Sequence, residues 1–148
     1  MNDPSTPFCS IQIDVPFHDI DSLGVVWHGH YYKYFEMART AMLRKYSLDI
    51  PAIFEMGYTM VVIDSSCRYI KPIRYGMTIR VLANIVELEY RIKVNYLITC
   101  AETGERLAKG TTIQATLNAA DHTLIMVTPQ DVVNIFLANK AALGEGNE

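Results

Sequence analysis

The stretch His30-Tyr31-Tyr32-Lys33-Tyr34-Phe35-Glu36-Met37-Ala38-Arg39-Thr40-Ala41-Met42-Leu43-Arg44-Lys45-Tyr46 decides how the rest of the chain is read. Tyr31, Tyr34, Phe35, Ala38 and Met42 recur at the spacing of one helix face, while Lys33, Glu36, Arg39 and Arg44 take the other faces. This predicts one amphipathic helix of about four to five turns. A stripe so aromatic suits packing against a broad sheet. Upstream, residues 10–17 alternate Ile11, Ile13 and Val15 with Gln12 and Asp14, the period of a half-buried strand, and Pro16 ends it. Downstream the pattern changes to long β-rich runs over 58–70, 77–88, 91–101 and 106–118. Turn chemistry separates them at Lys71-Pro72, at Tyr75-Gly76 and at the hairpin Glu102-Thr103-Gly104-Glu105. A short strand over 123–127 and a last helix, with Thr128 as N-cap and Pro129 at its first position, complete the order. Strand, long helix, then hairpin-linked strands implies an α+β fold, an antiparallel sheet with one helix laid across it. One helix covers one face only, so the other face and an edge call for a second copy of the chain.

The chain has 148 residues and a net charge of −3 from 13 basic and 16 acidic side chains. That length suits one domain, expected over 1–140, with 141–148 as a flexible tail. The charges are dispersed, which excludes the basic footprint of a nucleic-acid binder. No apolar run approaches the roughly 18 residues of a membrane span, and the start lacks the basic and apolar regions of a secretory signal, so a cytoplasmic location is expected. Cys9, Cys67 and Cys100 are far apart and read as buried thiols rather than a zinc or redox set.

Functional residue types concentrate in His18-Asp19-Ile20-Asp21-Ser22-Leu23-Gly24-Val25-Val26-Trp27-His28-Gly29-His30-Tyr31, which holds three of the four histidines and the single Trp. The segment leads into the long helix, whose first turn presents backbone N–H groups without intrahelical partners at the positive end of the dipole. His28-Gly29-His30 lacks the usual capping side chains, so these donors stay available to a carbonyl oxygen. A carboxylate a few residues upstream then faces the same group from the other side, the pairing that acyl transfer to water requires. An Asp-rich loop before a helix also serves as a turn and capping device.

Asp19-x-Asp21-x-x-Gly24-x-Val26-Trp27-His28-x-x-Tyr31, followed by Tyr34-Phe35-Glu36-x-Ala38-Arg39, closely resembles the signature of hotdog-fold acyl-CoA thioesterases, in the branch of 4-hydroxybenzoyl-CoA thioesterase and the YbgC-like enzymes. Weaker similarity extends through Tyr69-Ile70-Lys71-Pro72-Ile73-Arg74-Tyr75-Gly76 and Leu107-Ala108-Lys109-Gly110. The resemblance implies an antiparallel sheet wrapped around one long helix, a homodimer or homotetramer with sites at the subunit interface, and no metal or other cofactor. It implies an acyl-CoA or acyl-carrier-protein thioester as substrate. Asp21 matches the catalytic carboxylate, as nucleophile or as general base on water, and the His28 N–H matches the oxyanion donor. The His28 imidazole is expected either to orient Asp21 or a water, or to pack the loop.

Gly24, Trp27, Gly29 and Tyr31 are expected at the substrate, Tyr31 either over the acyl group or in the core. Arg91 and Lys93 are expected to meet the phosphates of coenzyme A, with Arg68, Arg74 and Lys71 as further options. Asp19 is expected to cap the loop, and Glu36 to pair with Lys33 and Arg39 on the helix surface. His28-x-His30 with the two aspartates imitates a metal set, although none is expected to form. Met77 stands where the family usually has Asp after Tyr75-Gly76, so a turn contact is expected to be lost. A 3-hydroxyacyl thioester dehydratase, using His28 and Glu36, and a non-catalytic acyl-binding module are the competing readings.

Overall fold

A computed structural model describes residues 7–144. The elements run β1 (Phe8–Asp14), α1 (His30–Lys45), α2 (Ile50–Glu55), β2 (Tyr58–Tyr69), β3 (Thr78–Glu87), β4 (Ile92–Cys100), β5 (Arg106–Asn118), β6 (Leu124–Ile125) and α3 (Gln130–Gly144). All strand pairs are antiparallel, in the order β1-β3-β4-β5-β2, with β6 on β5. The predicted order of strands and long helices is the observed one, with the short helix α2 inserted between α1 and β2.

Alternate residues of the central strands point at α1. Ile79, Val81, Ala83 and Ile85 on β3 and Ile92, Val94, Tyr96 and Ile98 on β4 are all buried, as is the stripe Tyr31, Tyr34, Phe35, Ala38 and Met42 of the helix. The Phe35 ring stacks on Tyr96 with centroids 4.5 Å apart. Gly110 of β5 lets it do so, because a Cβ there would lie 2.4 Å from Phe35 and 2.7 Å from the Ser66 carbonyl oxygen. The helix thus sits as close to the sheet as backbone allows. Burying the Ile, Val, Phe and Met side chains among these contributes about 1.5–3 kcal/mol each before entropy is counted.

Several expectations need correction. The short helix α2 is absent from the sequence reading; Asp49 caps it, accepting a hydrogen bond from the Ile50 N–H, and Pro51 sits in its first turn. Thr128 does not cap α3: the helix starts at Gln130, and the buried Thr128 hydroxyl has no hydrogen-bond partner among the described residues. α3 continues to Gly144, so it takes in four residues of the expected tail, while 145–148 lie outside the described residues. Glu36 is exposed and joins neither expected ion pair, because Lys33 is drawn to Asp19 and Arg39 donates to the Tyr96 hydroxyl. Of the cysteines only Cys100 is buried; Cys9 and Cys67 are half-buried. Met77 keeps its turn after all: its N–H donates to the Arg74 carbonyl and its Sδ accepts the Arg74 N–H at 3.2 Å.

The sheet face away from α1 also differs from the apolar surface implied by one helix on one sheet. It carries Arg68, Arg80, Lys93, Asn95 and Lys109 at alternate strand positions, with Leu82 and Leu97 among them. Apolar surface is also exposed on β2, where Val61, Val62 and Ile63 are exposed and, among the described residues, the strand pairs on one side only. Among the described residues, no helix is long and apolar enough to cross a membrane.

Candidate active site

The loop between β1 and α1 folds on its own hydrogen bonds. A 3₁₀ turn at Phe17–Asp19 is followed by a tight turn in which Asp21 accepts the Gly24 N–H on its carbonyl (3.0 Å) and the Leu23 N–H on Oδ1 (2.8 Å). Gly24 holds φ at +82°, which explains a glycine there. The Val26 N–H donates to the Ile73 carbonyl, and short bridges join Ile20 to Val26 and Val25 to Arg74, so the loop leans on the segment after β2.

The loop then enters α1 through a turn from Trp27. The Trp27 N–H donates to the Asp19 carbonyl and the His30 N–H to the Trp27 carbonyl. Gly29 is the N-cap and offers no capping side chain. Among the described residues, neither the His28 N–H nor the Gly29 N–H has an intramolecular acceptor. Gly29 is required for another reason as well: a Cβ would lie 2.2 Å from the Trp27 ring, which folds over it and against His30.

A cleft of about 340 Å³ opens at this helix end, lined by Asp21, Leu23, Val25, Val26, His28 and Tyr31 and, from the end of β2 onward, by Tyr69, Ile70, Lys71 and Pro72. Tyr69 closes one wall. Its hydroxyl donates to the His28 carbonyl at 3.0 Å and its ring meets Tyr31 edge-on at 4.7 Å. Burial, with the Cys67 thiol beside it, pushes the Tyr69 hydroxyl up to about 12. Burial also raises Tyr31. Both phenols therefore stay neutral and serve as donors. Asp21 keeps Oδ2 free of partners among the described residues, so one carboxylate oxygen is positioned and the other is available.

Asp19 is organised differently. It is 1% exposed and accepts from Lys33 Nζ and from the Tyr34 hydroxyl, each at 2.6 Å, with His30 Nε2 at 3.7 Å. Burial pushes its carboxyl up, but the two hydrogen bonds and the Lys33 and His30 charges outweigh burial and leave it below the usual carboxylate range. This is an ionised strut tying the loop to α1, with no oxygen left to meet a substrate.

Of the residues singled out in the sequence, Asp21, His28 and Tyr31 share the cleft. Gly24, Trp27 and Gly29 shape the loop without lining it. No hydrogen bond joins the His28 imidazole to Asp21; the ring stands exposed beside Trp27 and Tyr69. Arg91 and Lys93 lie at the other end of the sheet, where Arg91 pairs with Glu87 at 3.1 Å and Lys93 is the strand partner of Glu87. Lys71 reaches the cleft but is paired with Glu105. Tyr69, Ile70 and Pro72 are wall residues that neither periodicity nor residue type marks in the sequence, and only the similarity of their block to the family points to them. Among the described residues, no three His, Cys, Asp or Glu side chains are grouped to hold a metal ion.

Residues 23–105, more than half of the chain, match the family model of the thioesterase superfamily. A provisionally named esterase of Synechocystis is 34% identical over 101 residues, which cover 68% of this chain and 61% of the relative. The match therefore spans less than two thirds of that protein. In fold the chain is similar to a DHNA-CoA thioesterase from Staphylococcus aureus (TM-score 0.79, 23% identity, 95% of this chain and 96% of that one). It is also similar to a 1,4-dihydroxy-2-naphthoyl-CoA thioesterase from Synechocystis (TM-score 0.78, 20% identity, 87% and 95%). The antiparallel sheet with its packed helix is thus the hotdog fold.

Proposed function

Because the chain belongs to the thioesterase superfamily, we propose that it hydrolyses an acyl-CoA or acyl-carrier-protein thioester to a free acid and a thiol, with Asp21 as the catalytic carboxylate. One observation carries the reading: among the described residues, a carboxylate with a partner-free oxygen and a helix N-terminus with unpaired N–H groups adjoin the same cleft. The thioester carbonyl oxygen accepts the His28 N–H, and developing negative charge is stabilised there by the donor and the helix dipole. A preorganised donor of this kind is worth about 2.7–4 kcal/mol of barrier. Asp21 Oδ2 then either takes a proton from the attacking water or adds to the carbonyl carbon itself, giving an anhydride that water opens. In both routes the C–S bond breaks as the tetrahedral intermediate collapses, and the thiolate leaves with its electron pair. Thioesters are activated acyl donors, so no metal is needed. The apolar walls Leu23, Val25, Val26 and Ile70 suit an acyl group, and the Tyr31 and Tyr69 rings suit a flat one.

The dehydratase reading loses its second group, since Glu36 is exposed and does not line the cleft. The test is a panel of aliphatic and aromatic acyl thioesters assayed with a thiol-detecting dye. Release of thiol from at least one class, above the uncatalysed rate and saturable, is expected. No release across the panel, with saturable binding of an acyl thioester, would favour an acyl-binding module.

A further inference from the structure

A second cavity of about 520 Å³ lies on the outer face of the sheet, away from α1, and the catalytic reading makes no use of it. Its floor is built from cross-strand rows. One row runs Arg68 (β2), Lys109 (β5), Leu97 (β4) and Leu82 (β3), each residue the register partner of the next. The adjacent row includes Thr111 and Asn95, joined through a hydrogen bond from Thr111 Oγ1 to Asn95 Oδ1 at 3.1 Å. Arg68 and Lys109 are therefore like charges directly opposite one another, an arrangement that destabilises a sheet unless an anion lies between them. Among the described residues neither carries an ion pair. The only carboxylate of β2, Asp64, stands on the same face about 13 Å further along the strand. Arg106 adds a third cation to the lining.

We infer that this outer-face cavity is a nucleoside-phosphate site. Arg68 and Lys109 hold the phosphate, where a guanidinium supplies a fork of donors and an ammonium a point charge. Leu97 and Leu82 give the base a flat apolar seat beside the cations. The Asn95 amide, with its oxygen occupied by Thr111, keeps N–H donors for the base edge. Arg68 of the cavity and Tyr69 of the catalytic cleft are neighbours in β2, so the two sites meet at the same strand end. The occupant is either the nucleotide end of a coenzyme A thioester, which rests on the thioesterase reading, or a free nucleotide, which does not.

Calorimetric titration with adenosine 3′,5′-bisphosphate tests the site without turnover. Saturable binding is expected, weakened at least about tenfold by Arg68→Ala or Lys109→Ala, and falling with added salt. Arg68→Lys should recover part of it. Kinetics separate the sources: a raised KM for acyl-CoA at constant kcat in the double variant identifies the substrate's own nucleotide, and an unchanged KM identifies a free one. The inference is overturned by absence of binding, by equal affinity for pyrophosphate, by loss of binding in Arg91→Ala alone, or by capture of acyl carrier protein through Arg68 and Lys109 without nucleotide binding. None of these results depends on whether Asp21 is catalytic.

Discussion

Two aspartates two residues apart have opposite environments, and the difference assigns their work. Asp19 has both oxygens engaged and is buried, whereas Asp21 has one oxygen fixed by the Leu23 N–H and one open to the cleft. Asp19→Asn should lower stability by about 2 kcal/mol, since it removes charge-assisted hydrogen bonds to Lys33 and Tyr34. The sign of its pH dependence follows from a depressed pKa. Asp19 contributes stability above the unfolded carboxylate value of about 3.9, and that contribution is lost as pH falls through the lower folded value. Denaturant melts between pH 2 and 6 should therefore be steeper in pH for the wild type than for Asp19→Asn. The reverse ordering would remove the strut assignment. Tyr69→Phe deletes the hydrogen bond to the His28 carbonyl while keeping the wall. A fall in kcat with the melting temperature nearly unchanged is expected.

At the scale of elements, the close seat of α1 on the sheet depends on Gly110. Gly110→Ala should cost about 1–3 kcal/mol, because its Cβ meets the Phe35 ring and a backbone oxygen, and backbone cannot yield as a flexible side chain would. Thermal denaturation reads this directly, and a melting temperature equal to the wild type would show that the helix is not so tightly seated. The long elements are legible in the sequence because each has a clean period: α1 is expected over 30–46 and observed as His30–Lys45, and β5 is expected and observed over 106–118. Short or locally determined features are less so. The six residues of α2 are too few to show a period, and their only signal is Asp49 followed by Pro51. Thr128-Pro129 has the form of a cap, yet packing buries the threonine and the helix begins later. Lys33 and Arg39 lie at pairing distance from Glu36 along the helix, but one-dimensional spacing cannot show that a buried carboxylate 14 residues upstream competes for the lysine. The grouping of Asp21, His28 and Tyr31 follows from the loop and the helix start. The wall from Tyr69 to Pro72 depends on tertiary folding of β2 over that loop, which periodicity does not contain.

For the whole molecule, the unpaired edge matters most. β2 is twelve residues long, pairs on one side only among the described residues, and exposes Val61, Val62 and Ile63. Long apolar edges are templates for pairing with another chain. The expected outcome in analytical ultracentrifugation at micromolar concentration is a dimer or tetramer. Ile63→Lys should shift it toward monomer, since a lysine at an edge blocks pairing. A wild type that sediments as a monomer would contradict this use of β2. Because β2 also ends at the cleft, loss of the assembly is expected to lower activity as well.

The central claim is that the Asp21 carboxylate carries out thioester hydrolysis, and steady-state kinetics of Asp21→Asn beside Asp19→Asn, on a thioester the wild type cleaves well, test it most directly. Asp21→Asn keeps the side-chain shape and removes the basic oxygen, so kcat and kcat/KM should fall together by about 100-fold or more with the melting temperature little changed. Asp19→Asn should lose stability more than turnover. Near-full turnover in Asp21→Asn, with activity abolished in folded Asp19→Asn or Glu36→Gln, would contradict the account.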